Sequence, residues 1–153
     1  MSTSGDLAAE LIIVERVMNS HQRDFAAMSL RGVATRIDRS ALAGESLAFE
    51  FANVKSGINL SVSFFPSLPH NRKMMVAMIT NSSGETLNVN DYLTLHRREQ
   101  VLQNFSTEGA LLDIAGYYEQ CVKTLVALLS ADLKGVLEGT RWETTPVDWH
   151  GYR

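Results

Sequence analysis

The chain has 153 residues, of which 45% are hydrophobic and 20% are charged, with 10 glycines and only 3 prolines. This composition is typical of a single globular domain and excludes disordered, collagen-like and low-complexity chains. Fourteen basic and 17 acidic residues give a formal net charge of −3. Binders of nucleic acid or of anionic membranes usually carry a basic excess, which this chain lacks. We therefore expect neither nucleic acid nor a membrane among its partners.

Cysteine content and the first residues indicate the compartment. The single cysteine, Cys121, excludes an intramolecular disulfide and a cysteine-cluster zinc site. The N-terminus is polar, and Glu10 and Glu15 interrupt the apolar run that follows, so the pattern is not that of a signal peptide. No segment approaches the ~20 apolar residues of a membrane-spanning helix. We expect a cytoplasmic protein with one domain over residues 1–153.

An N-terminal helix is predicted from apolar residues at three- and four-residue steps. These residues are Leu7, Leu11, Val14, Val17 and Met18. Further apolar positions predict either an extension of this helix or a second helix after Ser20; they are Phe25, Met28 and Val33. Gly32 and residues 38–44 are expected to end the helical region.

The middle of the chain predicts an antiparallel meander of about four strands. Large apolar residues alternate with alanine or glutamate over 47–52 and with small polar residues over 58–64, which is typical of strands with one buried face. A turn at 55–57 would join these two strands as a hairpin. Pro66 and Pro69 are expected to end the second strand. A third strand over 73–80 is apolar on both faces, and a short fourth strand is predicted over 86–89.

Helices are predicted to follow the fourth strand. Asn90 and Asp91 are expected to cap a helical segment. A long apolar stripe then predicts a C-terminal amphipathic helix, with a start signal at 106–107 and a stop at Gly139. About 30 residues at ~1.5 Å each would span ~45 Å, so we expect a break near 130–132 or at Gly135. The predicted fold is α+β: an N-terminal helix, the meander, and the long C-terminal helix packed on the sheet.

No catalytic or cofactor site is predicted. The chain contains neither of the common glycine-rich phosphate-binding motifs and no serine-hydrolase elbow motif. Cys121 lies on the apolar stripe of the last helix, so it is predicted to be buried and unreactive. His96 and Glu99 would share one helix face, but two residues are too few for a metal site. We expect a protein that is not an enzyme, with no cofactor and no metal.

The C-terminal tail, residues 140–153, is the candidate binding segment. It contains two tryptophans and a tyrosine, which are enriched in the hot spots of protein interfaces. Trp142 is close enough to the helix stop to anchor the tail on the domain. The residues beyond Pro146 are predicted to contact a protein partner: Asp148, Trp149, Tyr152 and Arg153.

The function predicted from these features is that of a noncatalytic protein-binding module. Its form would be an immunity- or antitoxin-type inhibitor whose partner is a protein toxin, an interpretation that rests on analogy of fold and composition. Two alternatives remain open. One is a secretion-type chaperone that forms a homodimer and holds a secreted client; the other is a small-ligand-binding or enzymatic domain with a pocket between sheet and helix. A filled space at that position would favour the binding module.

Overall fold

A computed structural model describes residues 4–40, 44–68, 72–107, 113–143 and 145. Its elements, in chain order, are α1 (Ser4–Ser20), α2 (Gln22–Ala27), β1 (Leu30–Ser40), β2 (Gly44–Asn53), β3 (Asn59–Leu68), β4 (Arg72–Thr80), β5 (Thr86–Asn88), α3 (Val89–Leu95), α4 (Glu99–Leu102), a 3₁₀ turn (Gln103–Phe105), β6 (Ser106–Thr107), α5 (Ile114–Ser130) and α6 (Lys134–Glu138). The predicted α+β class is confirmed, with an N-terminal helix, an antiparallel sheet and a C-terminal helix packed on it.

The sheet has more strands than the four expected. Its order is β1-β2-β3-β4-β5, every pairing is antiparallel, and β6 pairs with β4 beside β5. The main correction is β1 (Leu30–Ser40), because we expected Val33 to belong to a helix and the helical region to end at Gly32 and residues 38–44. All residues from 31 to 38 are exposed in β1. A strand without a buried face leaves no apolar alternation in the sequence, which explains why the pattern missed it.

The predicted hairpin is confirmed as β2 and β3, whose register pairs Phe49 with Val62. The β3 residues predicted to face the core are at most 4% exposed: Ile58, Leu60, Val62 and Phe64. Pro66 does not end β3, which continues to Leu68. The pairing with β4 is irregular between Phe65 and Leu68, and a proline is tolerated at such a position because no ladder hydrogen bond is required there.

The C-terminal helical region is broken, as expected. Helix α5 ends at Ser130 and α6 starts at Lys134. Gly139 ends α6 in the left-handed conformation, with φ of 78°. The start signal was wrong, because Ser106 and Thr107 form β6 and the Asp113 side chain caps α5 by accepting a hydrogen bond from the Gly116 amide. None of the described helices has the length and apolar character needed to cross a bilayer.

A buried ion pair connects the two helices to the sheet. Lys73 Nζ of β4 donates to Glu10 Oε1 of α1 at 2.8 Å, and the Tyr118 hydroxyl of α5 donates to the same oxygen. The two charged side chains are only 14% and 13% exposed. Because the carboxylate has two donors and a counter-charge, its burial is compensated. This contact fixes α1 at the end of the sheet where β4 begins.

Candidate protein-binding groove beside strand β1

The two borders of the sheet differ in how far other residues cover their backbone. On one border, β4 is flanked by β5 and by β6. Between these short strands, Asn90 Oδ1 accepts from the Ala77 amide at 3.3 Å and Asn90 Nδ2 donates to the Met75 carbonyl at 3.1 Å. Asn90 is therefore a substitute for strand pairing and not the helix cap that we expected; Asn88 caps α3 instead, through the Asp91 amide. The β4 border is covered along its length.

The other border is β1, which among the described strands pairs only with β2. A β-bulge between Gly32 and Ala34 interrupts this pairing near its start. Large apolar side chains remain exposed on the strand, with Val33 at 60% and Ile37 at 54%. Natural proteins usually shorten, cover or charge such an edge, because its free backbone groups can pair with another chain.

A groove of about 610 Å³ runs between β1 and the helices α1 and α2. Phe25 of α2 and Phe51 of β2 stack with their ring centroids 4.6 Å apart, and both rings line it. Gly32 pairs with Phe51 across β1 and β2, and a Cβ built on Gly32 would meet no atom within 4 Å. The absent side chain therefore leaves the groove open above an aromatic surface.

The rim of the groove is polar and carries two carboxylates and one guanidinium. It is lined by Glu15, Asn19 and Gln22 on the helical side and by Arg31 and Glu50 on the side of the sheet. Glu50 forms an ion pair with Arg36, whereas no ion pair of Glu15 occurs among the described residues. An apolar base with a carboxylate beside it suits an apolar side chain that is followed or preceded by a basic one.

The residues predicted to bind a partner cannot be placed against this groove. Asp148, Trp149, Tyr152 and Arg153 lie outside the described residues. Trp142 packs against the core, as expected of an anchor for the tail. Thr145 adds a second anchor, because its buried Oγ1 accepts from the Asn88 amide at 2.8 Å.

Cys121 and His96, the other groups with reactive side chains considered above, have the burial or the partners of structural residues. Cys121 is fully buried, as predicted, and burial raises the pKa of its thiol to about 12. Its Sγ donates to the Asn104 carbonyl at 3.4 Å. His96 ends α3 with Nε2 at 2.7 Å from Glu143 Oε2, whereas Glu99 starts the separate helix α4. Within the described ranges, no three His, Cys, Asp or Glu side chains group as metal ligands would.

The space between α5 and the sheet is filled by side chains. Phe64 of β3 meets Tyr118 of α5 edge to face, with centroids 5.6 Å apart, and Val122 and Leu125 beside them are fully buried. A second depression, of about 690 Å³, opens at the end of the domain between α2, α5 and α6. Asn53, the buried polar residue in it, uses Nδ2 to donate to the Leu137 carbonyl at 3.0 Å and Oδ1 to accept from the Lys55 and Ser56 amides.

Sequence reasoning missed the residues that form the groove. Phe25, Gly32 and Phe51 lie on three different elements, and the available signal was a glycine inside an otherwise continuous segment, which can mark a bulge or an open backbone. Comparison with protein-family models, with curated proteins and with solved structures gave no match.

Proposed function

We propose that the chain is a noncatalytic protein-binding module and, within that class, an immunity-type inhibitor that occludes a protein toxin. The observation that carries the proposal is the groove beside β1, with its stacked Phe25 and Phe51 and the open position at Gly32. A groove of this size accepts one large side chain and the chain on either side of it. Glu15, the rim carboxylate without an ion pair among the described residues, supports a basic partner, since toxins that act on nucleic acid or other anions carry basic active sites.

The filled space between α5 and the sheet supports a binding module over an enzyme with a pocket there. The tail residues Trp149 and Tyr152 remain proposed contributors to partner binding. The unpaired, buried Cys121 is compatible with a reducing compartment, so the proposal places the protein in the cytoplasm.

The groove can be tested without knowing the partner in advance. A displayed library of random peptides is selected on the immobilised protein, and we expect enriched peptides to share an aromatic or large aliphatic residue next to lysine or arginine. A Cβ at Gly32 meets no atom within 4 Å, so Gly32→Leu places a side chain over the groove and should weaken these peptides at least ~30-fold, as expected for loss of a hot-spot contact. Leu95→Ser, at a residue that is 54% exposed on α3, is the matched control.

Two results decide the proposal. Failure to enrich any peptide, or equal binding by wild type and Gly32→Leu, argues against a binding groove. For the inhibitor form, the wild-type chain is coexpressed with the product of the neighbouring gene. Restored growth that is lost with Gly32→Leu supports inhibition, and a harmless neighbouring product contradicts it while leaving the binding module intact.

A dimeric secretion-type chaperone is the second candidate, and the exposed edge of β1 favours it. A chaperone of this type would hold its client on a dimer. Self-association of the edge is therefore a separate question from occupancy of the groove.

A further inference from the structure

We infer that two copies of this chain pair through β1, in antiparallel orientation, about a two-fold axis at Ile37. The paired segment is the regular part of the strand, residues 34–40. The two five-stranded paths would then join into one continuous sheet. The groove described above is lined by residues 30–35 of β1, so among the described residues its partner and the second copy share Ala34 and Thr35 alone.

The β-bulge determines which part of the edge can pair. Between Gly32 and Ala34 an extra residue breaks the regular pattern of backbone groups, which hinders pairing with another strand. From Ala34 to Ser40, each residue of β1 has one partner on β2 without a shift. A regular segment of seven residues, exposed from Ala34 to Asp38, is as long as a typical strand and is what strand addition requires.

The charges of this segment are self-complementary in a single register. With the axis at Ile37, Arg36 of each copy lies directly opposite Asp38 of the other, and Ile37 lies opposite its own mate. Moving the axis by one residue places Arg36 opposite Arg36, or Asp38 opposite Asp38, and directly opposed like charges are destabilising. Both side chains are half exposed and already contact each other within one copy at 3.1 Å, so no new burial of an unpaired charge is needed.

The exposed apolar surface lies at the same place. The strand register places Ile37 at the end of the sheet where Lys73 lies. The cross-strand row runs from Ile37 through Leu47 and Phe64 to Met75, and Met75 is two residues after Lys73. The ion pair of Glu10 with Lys73 holds the first half of α1 at this end.

Ile12 lies in that half of α1, three residues before Glu15, and so on the helix side that faces the groove. Ile12 and Ile37 are both 54% exposed. A second copy placed on β1 would cover Ile37 at the centre of the paired segment, and it would approach the side of α1 that carries Ile12.

The oligomeric state of the full chain is measured by sedimentation equilibrium. Wild type should be a dimer, and Ile37→Lys should raise the dimer dissociation constant at least ~10-fold, because a charge replaces the apolar centre. The control is Leu95→Lys, at a residue of α3 with the same exposed fraction. Helix α3 packs near β4 and β5, at the border of the sheet away from β1, so this variant should remain as dimeric as wild type. Gly32→Leu should also dimerise, since it fills the groove and leaves residues 34–40 unchanged.

A charge exchange tests the register. Arg36→Asp makes both positions acidic and Asp38→Arg makes both basic, so each variant alone should be a monomer. Mixed together, they should form a one-to-one heterodimer, since every opposed pair is again opposite in charge. Thermal unfolding confirms that each variant is folded. A wild-type monomer at every concentration, single variants that dimerise as tightly as wild type, or a mixture that stays monomeric would overturn the inference.

Discussion

At the scale of single residues, the buried thiol illustrates how packing decides chemistry. Cys121 was predicted to be a small apolar core residue because it lies on a helical stripe, and it is fully buried next to Tyr117 and Tyr118. Burial raises the pKa of all three groups by disfavouring their charged forms. A thiol with a pKa of about 12 carries almost no thiolate at neutral pH, so we expect it to react slowly with thiol reagents.

The raised pKa predicts how stability depends on pH. Above pH 9 the thiol of the unfolded chain loses its proton, whereas the folded chain keeps it up to about pH 12. The folded state then binds more protons, so stability falls through this range, by at most about 1.4 kcal/mol per pH unit from this group. Cys121→Ala removes that contribution, and between pH 9 and 10 its free energy of unfolding should decline less steeply than that of wild type.

Urea unfolding across this pH range is the measurement, and Ser130→Ala, at an exposed position of the same helix, is the control that should follow wild type. Parallel curves for wild type and Cys121→Ala would contradict the argument.

At the scale of secondary-structure elements, what could be predicted depended on burial. Strand β3 was found because its inner residues, such as Leu60 and Val62, are buried while Ser61 and Ser63 are not. Strand β1 was missed because both of its faces are exposed. The end of β3 was predicted wrongly from Pro66, because a β-bulge tolerates a proline that regular strand pairing excludes. The hydrophobic pattern of a segment reflects which of its side chains pack on the core. In β1 the residues from 31 to 38 are exposed, so this pattern is absent.

The covered border of β4 gives a prediction at this scale. Asn90 is 6% exposed and makes two hydrogen bonds to backbone groups of β4. Asn90→Leu keeps the size of the side chain but leaves the Ala77 amide and the Met75 carbonyl without this partner, which should cost about 2–4 kcal/mol. Asn81→Leu, in the exposed turn before β5, is the comparison and should cost less.

Denaturant unfolding gives the two free energies, and hydrogen exchange at the Ala77 amide gives the local effect. Exchange at this amide should accelerate in Asn90→Leu by more than the loss of global stability explains. If the two variants lose equal stability and Ala77 stays protected, the side chain does not act as a substitute for a strand.

At the scale of the whole molecule, the groove and the self-complementary edge result from the packing of separate elements within one chain. The stacked rings come from α2 and β2, and the open position comes from β1. These three elements follow one another in the chain, but the contact of Phe25 with Phe51 is a tertiary one, so the site could not be predicted from spacing or motif. The fold class could be predicted from the sequence, because strand alternation and helical periodicity follow from which face of each element is buried.

The C-terminal tail gives the last prediction, which concerns how far the folded domain extends. Trp142 packs on the core, and Thr145 is 3% exposed with its hydroxyl oxygen bonded to the Asn88 amide. If these contacts are sufficient anchors, a chain ending at residue 145 should melt within about 2 °C of wild type, as expected for a loss well below 1 kcal/mol. Thr145→Ala in the full chain should lower the free energy of unfolding by about 1–2 kcal/mol, because a buried amide loses its acceptor.

Thr140→Ala is the matched control, since the Thr140 hydroxyl is exposed and bonds only the nearby Gly135 carbonyl. The truncated chain also separates stability from recognition. If Trp149 and Tyr152 contact the partner, truncation should weaken partner binding by about 2 kcal/mol while melting stays unchanged. Truncation that unfolds the domain would show instead that the last residues belong to the core, and the proposed binding role of the tail would be withdrawn.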